Sequence, residues 1–491
     1  MALPEAVTGS PRVLFLTSEL HPLMKTGGLG EVSGALPPAL RELGADIRVL
    51  MPGYPLVLEA LPDLKRLHRF TGLGTFPDCD LLEGTLHGNV PLWVIDCPEL
   101  YAREGGPYAD LAGLDWPDNA RRFGLLCRVG ALLAGDASPL PWRPQIAHCN
   151  DWQSGLVPAY LQFQGGTRAA TVMTIHNVAY QGIYPPGSVA ELGLPPESFG
   201  INGVEYYGNM SFLKAGLFYA DRITTVSPTY AREIQSAPLG FGLQGLLATR
   251  AGALSGIING IDTEAWDPAR DALIPARYSA HDLSGKAVNK RALQQAMGLD
   301  PDPDVPLLGM VSRVAYQKGV DLVLEAAPRL LALHAQLVML GSGDPAMERA
   351  LHMLALAHPG KVATMAGFVE PLAHLIEAGS DIFLMPSRYE PCGLNQMYSQ
   401  LYGTPPVVHA TGGLNDTVTD CTAQALAEGR ASGFLFTDLS ANGLLAAVTR
   451  AIGIWRDRDA WHRLQRAGMS RDFSWRASAR QYLELYRSLS A

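Results

Sequence analysis

Two short stretches set charged side chains and glycines directly after apolar runs, an arrangement suited to holding a phosphate beside a polar partner. Ser387-Arg388-Tyr389-Glu390-Pro391-Cys392-Gly393-Leu394-Asn395 follows the apolar run 381–385, and Pro391 with Gly393 break the chain before a helical pattern resumes at 394–402. Glu390 is thus expected at a strand end, beside backbone amides that attract anions. Ser312-Arg313-Val314-Ala315-Tyr316-Gln317-Lys318-Gly319 likewise lies between a strand-like run and a helical one. Arg313 offers a planar donor fork for phosphate oxygens and Lys318 a compact charge, a pair that suits a diphosphate. A surface Glu on an ordinary turn and two solvated cations would leave the same residues. The shared sheet edge is what favours the site.

The first half carries a matching set. His21-Pro22-Leu23-Met24-Lys25-Thr26-Gly27-Gly28-Leu29-Gly30-Glu31 places glycines and Lys25 between a strand and a helix, which allows close backbone approach by a phosphate or sugar. It is neither a P-loop nor a dinucleotide fingerprint, and a tight structural turn would account for the glycines alone. Asp151 in His148-Cys149-Asn150-Asp151-Trp152, and His176 with Asn177 in Thr174-Ile175-His176-Asn177, end two further strands. Such residues can hydrogen-bond sugar hydroxyls, although each alone reads equally as a core histidine or a helix cap.

Metal chemistry has little support. Asp-x-Asp occurs at 78–80, 302–304 and 457–459, none after a long apolar strand, and H-E-x-x-H and G-x-S-x-G are absent. No metal and no cofactor are expected. Lys25, Arg313, Lys318 and backbone amides would neutralise a diphosphate instead.

The elements that must position these residues alternate along the chain. In the first half, strands are expected at 12–17, 46–51, 90–96, 146–150, 171–176 and 222–226, with helices at 30–43, 119–134 and 152–164. The pattern restarts at 286: helices at 286–297 and 320–333, strands at 307–312, 336–341, 362–366, 381–385 and 406–409. This predicts an α/β protein of two doubly wound domains, with a boundary within 257–266 and a closing helix at 475–489. The chain has 491 residues, 47% of them hydrophobic, enough for two sizeable cores. Its net charge of -9 disfavours nucleic acid and anionic membranes as partners. No window approaches a membrane span, and a cytoplasmic location is expected. The six cysteines are scattered, without the spacing of a zinc site or a disulfide framework.

Taken in order, these motifs resemble one family. Lys25-Thr26-Gly27-Gly28-Leu29-Gly30, His176 to Gly182, Phe212-Leu213-Lys214-Ala215-Gly216, Ile223-Thr224-Thr225-Val226-Ser227-Pro228 and Asn259-Gly260-Ile261-Asp262 lead into Ser312-Arg313, Gln317-Lys318-Gly319, Glu390-Pro391-Cys392-Gly393-Leu394, Thr411-Gly412-Gly413-Leu414 and Phe473-Ser474-Trp475. The set resembles bacterial glycogen synthases and plant starch synthases, retaining glucosyltransferases of the GT-B fold that use ADP-glucose. The resemblance implies two Rossmann-like domains facing a central cleft, 1–258 joined by 476–491, and 259–475. It implies ADP-glucose as donor and an α-1,4-glucan, or glycogen primer, as acceptor.

By the same resemblance, Arg313 and Lys318 would bind the diphosphate with the amides of Gly393, Leu394 and Asn395, and Glu390 would hold donor hydroxyls. Lys25 and Gly28 would reach the phosphate side, Asp151, His176 and Asn177 the sugar, and Phe368 the nucleobase. Tyr101 and Glu31 are candidate sugar contacts. Because Glu390 would be committed to hydroxyls, a front-face reaction is expected over a double displacement. The chain departs from the pattern where Asn395 replaces a usual Thr and Glu31 a usual Asp; where other GT-B enzymes carry a second Glu it has Tyr398, as the bacterial glycogen synthase group does. Another GT-B transferase and a two-lobed sugar binder are the alternatives, and the motif order and the Arg313/Lys318 pair speak against them.

Overall fold

Strands buried on both faces need an apolar side chain at nearly every position, and helices must then cover both sides of the sheet. In the computed structural model, which describes residues 9–490, the chain divides into two compact units built this way. One comprises the chain through Gly260 together with the segment from Trp475, and the other is Ile261–Ser474.

The strands of the first unit are β1 Arg12–Leu16, β2 Asp46–Pro52, β3 Lys65–Phe70, β4 Cys79–Thr85, β5 Pro91–Asp96, β6 Ile146–Asn150, β7 Ala170–Ile175, β8 Ile183–Tyr184, β9 Glu205–Tyr206, β10 Asn209–Ser211, β11 Arg222–Thr225 and β12 Leu254–Gly256. Among the described residues the main sheet runs β12-β11-β7-β6-β1-β2-β5-β4-β3, and β8, β10 and β9 form a small antiparallel sheet. Val13, Leu14, Phe15 and Leu16 of β1 are fully buried, and each such side chain stabilises the fold by roughly 1.5–3 kcal/mol. β1 pairs in parallel with β2 on one side and β6 on the other. The chain leaves β1 toward β2 and returns later at β6, so the loops after β1 and β6 diverge at one point of the C-terminal sheet edge. In open α/β sheets that reversal is where ligands bind.

The antiparallel β3–β4 hairpin was not expected from the sequence. β3 reads Lys65-Arg66-Leu67-His68-Arg69-Phe70 and is largely solvent-covered, a charged edge strand that blocks further pairing and masks the apolar signal. The closing helix Trp475–Ser490 packs on helix Gly28–Glu42. Its Tyr486 hydroxyl bonds His148 Nδ1 of β6 at 2.7 Å.

The second unit has six parallel strands, β13 Leu307–Val311, β14 Gln336–Leu340, β15 Val362–Met365, β16 Ile382–Met385, β17 Pro406–His409 and β18 Phe434–Phe436, in the order β15-β14-β13-β16-β17-β18. Its first strand lies in the middle, so this sheet reverses between β13 and β16. Helices Val320–Ala332 and Ala441–Arg456 bury Val323, Leu330, Leu444 and Val448 on one face. Helix Glu370–Gly379 buries Leu372 and Ile376 on the other. No helix among the described residues is long and apolar enough to cross a membrane.

Candidate active site

In the second unit the loops leaving β13 and β16 meet. Lys318 Nζ lies 2.5 Å from Glu390 Oε2, which also accepts from the Ser387 hydroxyl at 3.0 Å. Lys318 ends a short turn closed by Gly319 in the left-handed region (φ +70), where a Cβ would lie 2.1 Å from the Pro386 carbonyl oxygen. Only glycine lets the two loops approach this closely. Arg388 ties them further. Its backbone N–H donates to the Gln317 carbonyl, its guanidinium forms a two-pronged pair with Asp321 at 2.7 Å, and it stacks over Tyr316. Arg313 by contrast is exposed, with one long contact of 3.5 Å to Gln317 Oε1, so its donor fork faces outward.

The loop after β17 supports Glu390 from behind. Gly413 N–H donates to the Glu390 carbonyl at 3.1 Å, and a Cβ on Gly412 (φ +44) would sit 1.9 Å from that oxygen. Gly393 (φ +72) turns the chain into the short helix Asn395–Leu401. Asn395 Nδ2 donates to the Val311 carbonyl at the end of β13 at 2.6 Å, so the side chain replacing the usual Thr ties the loop after β16 to β13. Cys392 is buried. The structure thus brings Arg313, Lys318, Glu390, Gly393, Leu394 and Asn395 to one sheet reversal. Phe368 stands 75% exposed beyond β15, two strands from β13.

In the first unit, Asp151 follows β6 and His176 follows β7. Asp151 takes a left-handed backbone (φ +54), unusual for a residue other than glycine. Its Oδ1 accepts from His176 N–H at 2.8 Å, and burial pushes its carboxyl up to about 7 against the pull of that bond. His176 Nε2 is 3.1 Å from Asn150 Oδ1, whose own Nδ2 donates to the Leu16 carbonyl. The asparagine oxygen therefore faces the imidazole, Nε2 carries the proton, and Nδ1 is left as an acceptor. Burial pushes the imidazole down to about 3, so it is neutral near pH 7. Asn177 Oδ1 accepts from Ala179 N–H and closes the turn. Lys25 pairs with Glu31 at the surface, and Gly28 opens helix Gly28–Glu42 with empty space where a side chain would be.

Tyr101 follows β5 at this edge but is turned inward. It is 1% exposed, and its hydroxyl donates to the Arg122 carbonyl at 2.6 Å. Arg122 draws the 100–108 segment inward by donating to the Leu100 and Pro107 carbonyls, which packs the Tyr101 ring. Glu19 lies outside every motif of the sequence, yet its carboxylate is bonded by Thr26, Gly27 and Tyr108. No local motif marks it, since Tyr108 is 89 positions away. Among the described residues no three His, Cys, Asp or Glu side chains converge as a metal-ligand set.

Residues 12–249 match the family model of the starch synthase catalytic domain, and residues 295–466 match that of glycosyl transferases group 1. The chain is 60% identical over 481 residues to a glycogen synthase of Nitrosospira multiformis, covering 97% of each chain. It is 58% identical over 484 residues to a glycogen synthase of Nitrosomonas europaea, covering 98% of each. The fold is similar to the catalytic domain of starch synthase IV from Arabidopsis thaliana bound to ADP and acarbose, with TM-score 0.87, 32% identity, and 98% of this chain and 100% of that one covered. A sucrose-phosphate synthase from Thermosynechococcus elongatus, at TM-score 0.60 and 19% identity, shares the fold alone.

Proposed function

The chain belongs to the glycogen synthase family of starch-synthase-type glucosyltransferases, and from that premise we propose how its residues elongate glucan. Glucose passes from ADP-glucose to the non-reducing 4-hydroxyl of an α-1,4-glucan, with the anomeric configuration retained. The observation that carries the assignment of roles is the Lys318–Glu390 pair at the β13/β16 reversal, with the Arg313 fork beside it.

Arg313 and Lys318 bind the diphosphate, and the amides of Gly393, Leu394 and Asn395 add neutral donors. Glu390 accepts from donor hydroxyls. Its position beside Lys318 keeps the carboxylate compensated while it does so. In the first unit, neutral His176 accepts a sugar hydroxyl at Nδ1 without adding positive charge near an anomeric carbon that becomes cationic. Asp151 fixes the backbone of His176 and Asn177, and Lys25 and Gly28 serve the phosphate side. Phe368 offers an exposed ring to the base. The bond from C1 to the diphosphate oxygen breaks as the bond to the acceptor O4 forms on the same face. The leaving phosphate takes the O4 proton, and the cations stabilise the charge that develops on it. No protein carboxylate is required as a nucleophile.

The test supplies ADP-glucose or UDP-glucose with a glycogen primer and a chelator, and follows nucleotide release and glucan growth. Growth from ADP-glucose that survives chelation is the expected result. Growth from UDP-glucose only, loss of activity on chelation, or a trapped glucosyl–carboxylate adduct would each overturn part of this reading.

A further inference from the structure

Glu19 sits just after β1, 3% exposed, and its two carboxylate oxygens are fully engaged. Oε2 accepts from the backbone N–H groups of Thr26 at 2.6 Å and Gly27 at 3.1 Å. Oε1 accepts from the hydroxyls of Thr26 at 2.7 Å and Tyr108 at 2.6 Å. An ionised carboxylate donates nothing, so four converging donors match it well. Both segments it joins are held from behind. Thr17 Oγ1 donates to the Glu19 carbonyl and bonds Ser33 of helix Gly28–Glu42. Asn119 donates to the Tyr108 carbonyl, and Arg122 donates to the carbonyl of Pro107.

We propose that Glu19 is a positioning residue for the donor. It fixes the backbone of the Lys25–Gly28 loop and locks that loop to the 101–108 segment through Tyr108. The geometry gives the reason. Gly27 and Gly28 have nothing within 4 Å of where a side chain would lie, so neither is held in place by packing of its own. The start of the loop is tied by the pair of backbone bonds joining Leu20 and Met24, and its base by the His21 N–H donating to the Gly30 carbonyl. Beyond Met24, the Glu19 carboxylate is what holds the amides of Thr26 and Gly27 immediately before the helix begins. The Lys25 side chain and the Gly28 backbone take their direction from those two residues. This inference rests on the assignment of the Lys25–Gly28 loop to the donor.

The test compares Glu19→Ala, Glu19→Gln and Glu19→Asp with the wild-type enzyme, measuring kcat, KM for ADP-glucose, KM for glucan and Tm. Alanine leaves the loop amides without an acceptor, and an increase of about tenfold or more in donor KM is expected. Glutamine can turn its oxygen to the two amides and its NH2 to the two hydroxyls, which rotate to accept. It should recover most of the donor KM. Aspartate, one methylene shorter, should fall between them, and it decides the matter should the alanine variant not fold. A donor KM unchanged in Glu19→Ala and Glu19→Asp overturns the proposal. So does a glutamine variant no better than alanine, or a lower Tm with wild-type kinetic constants. Lys25→Ala separates the levels: if it leaves donor KM unchanged, the donor assignment of the loop fails, whereas a raised value with unaffected Glu19 variants defeats only the role of Glu19.

Discussion

Lys318 Nζ lies 2.5 Å from Glu390 Oε2, so the cation assigned to the diphosphate and the carboxylate assigned to the sugar are partners of each other. Glu390 is nearly buried and has one other donor, the Ser387 hydroxyl. Lys318→Ala therefore removes a phosphate contact and also strands a carboxylate beside the diphosphate. A drop in kcat of at least about 100-fold is expected. In Lys318→Ala/Glu390→Gln the stranded charge is gone, and the combined loss should be smaller than the product of the single losses. Strictly multiplicative effects in a double-mutant cycle on kcat would show that the pair is not coupled.

Asn395 provides a second test of how the donor loop is held. Its Nδ2 bonds the Val311 carbonyl at the end of β13, a reach that threonine lacks. Asn395→Thr should lose about 1 kcal/mol of stability, read as a Tm lower by about 2–4 °C. The backbone amide is untouched, so donor KM should stay within about threefold. An unchanged Tm together with a donor KM tenfold lower would mean that the hydroxyl, and not the tie to β13, is what matters at this position.

The same contrast between local and distant information decides what was legible in the sequence. The central strands announced themselves because strands covered on both faces, such as Leu307–Val311 and Ile382–Met385, are wholly apolar. That Asp151, His176, Arg313 and Glu390 lie in the loops after strands followed from the same signal, since the end of an apolar run marks where a strand stops. Lys65–Phe70 was missed because an edge strand is polar, and Glu19 because its donors come from a loop and from a segment 89 residues on. The burial of Tyr101 was hidden for a related reason. Its chemistry suits a sugar, but its burial depends on Arg122, a cation held by carbonyls that no charge pattern reveals.

His148 gives a pH dependence with a definite sign. It is fully buried between Tyr486 and Thr174, and burial pushes its imidazole down from 6.5 to about 3. The folded state then binds fewer protons than the unfolded state between about pH 3 and 6.5, and stability is present above that window and lost as pH falls through it. From pH 7.5 to 5 this one group should remove about 2 kcal/mol. His148→Gln should be less stable than wild type at pH 7.5 but lose about that much less on acidification. Denaturant titrations at the two pH values measure the difference, and equal losses for both proteins would refute the assignment to His148.

Tyr398 stands where other GT-B enzymes carry a second Glu, and its surroundings show what a ring does there. The Trp266 ring lies between Tyr398, at 4.0 Å and 12°, and His374, at 3.8 Å and 14°. His374 Nδ1 is 2.8 Å from Asp271 Oδ2, which also accepts from the Tyr402 hydroxyl at 2.6 Å. The position is thus the end of a column of rings anchored on a buried carboxylate. Tyr398→Glu would place an anion against the negative face of the indole and remove a stack worth about 0.5–1.5 kcal/mol beyond its buried area. A destabilisation of about 2–3 kcal/mol is expected. Trp266→Ala should be similarly costly, and the double variant should cost clearly less than the two together, because each single change already breaks the same column. Since no reacting group is assigned to position 398, kcat per folded molecule should fall by less than about tenfold. Stability within about 0.5 kcal/mol of wild type for Tyr398→Glu, or a loss of kcat matching that of Lys318→Ala, would put the residue in the chemistry and not in the column.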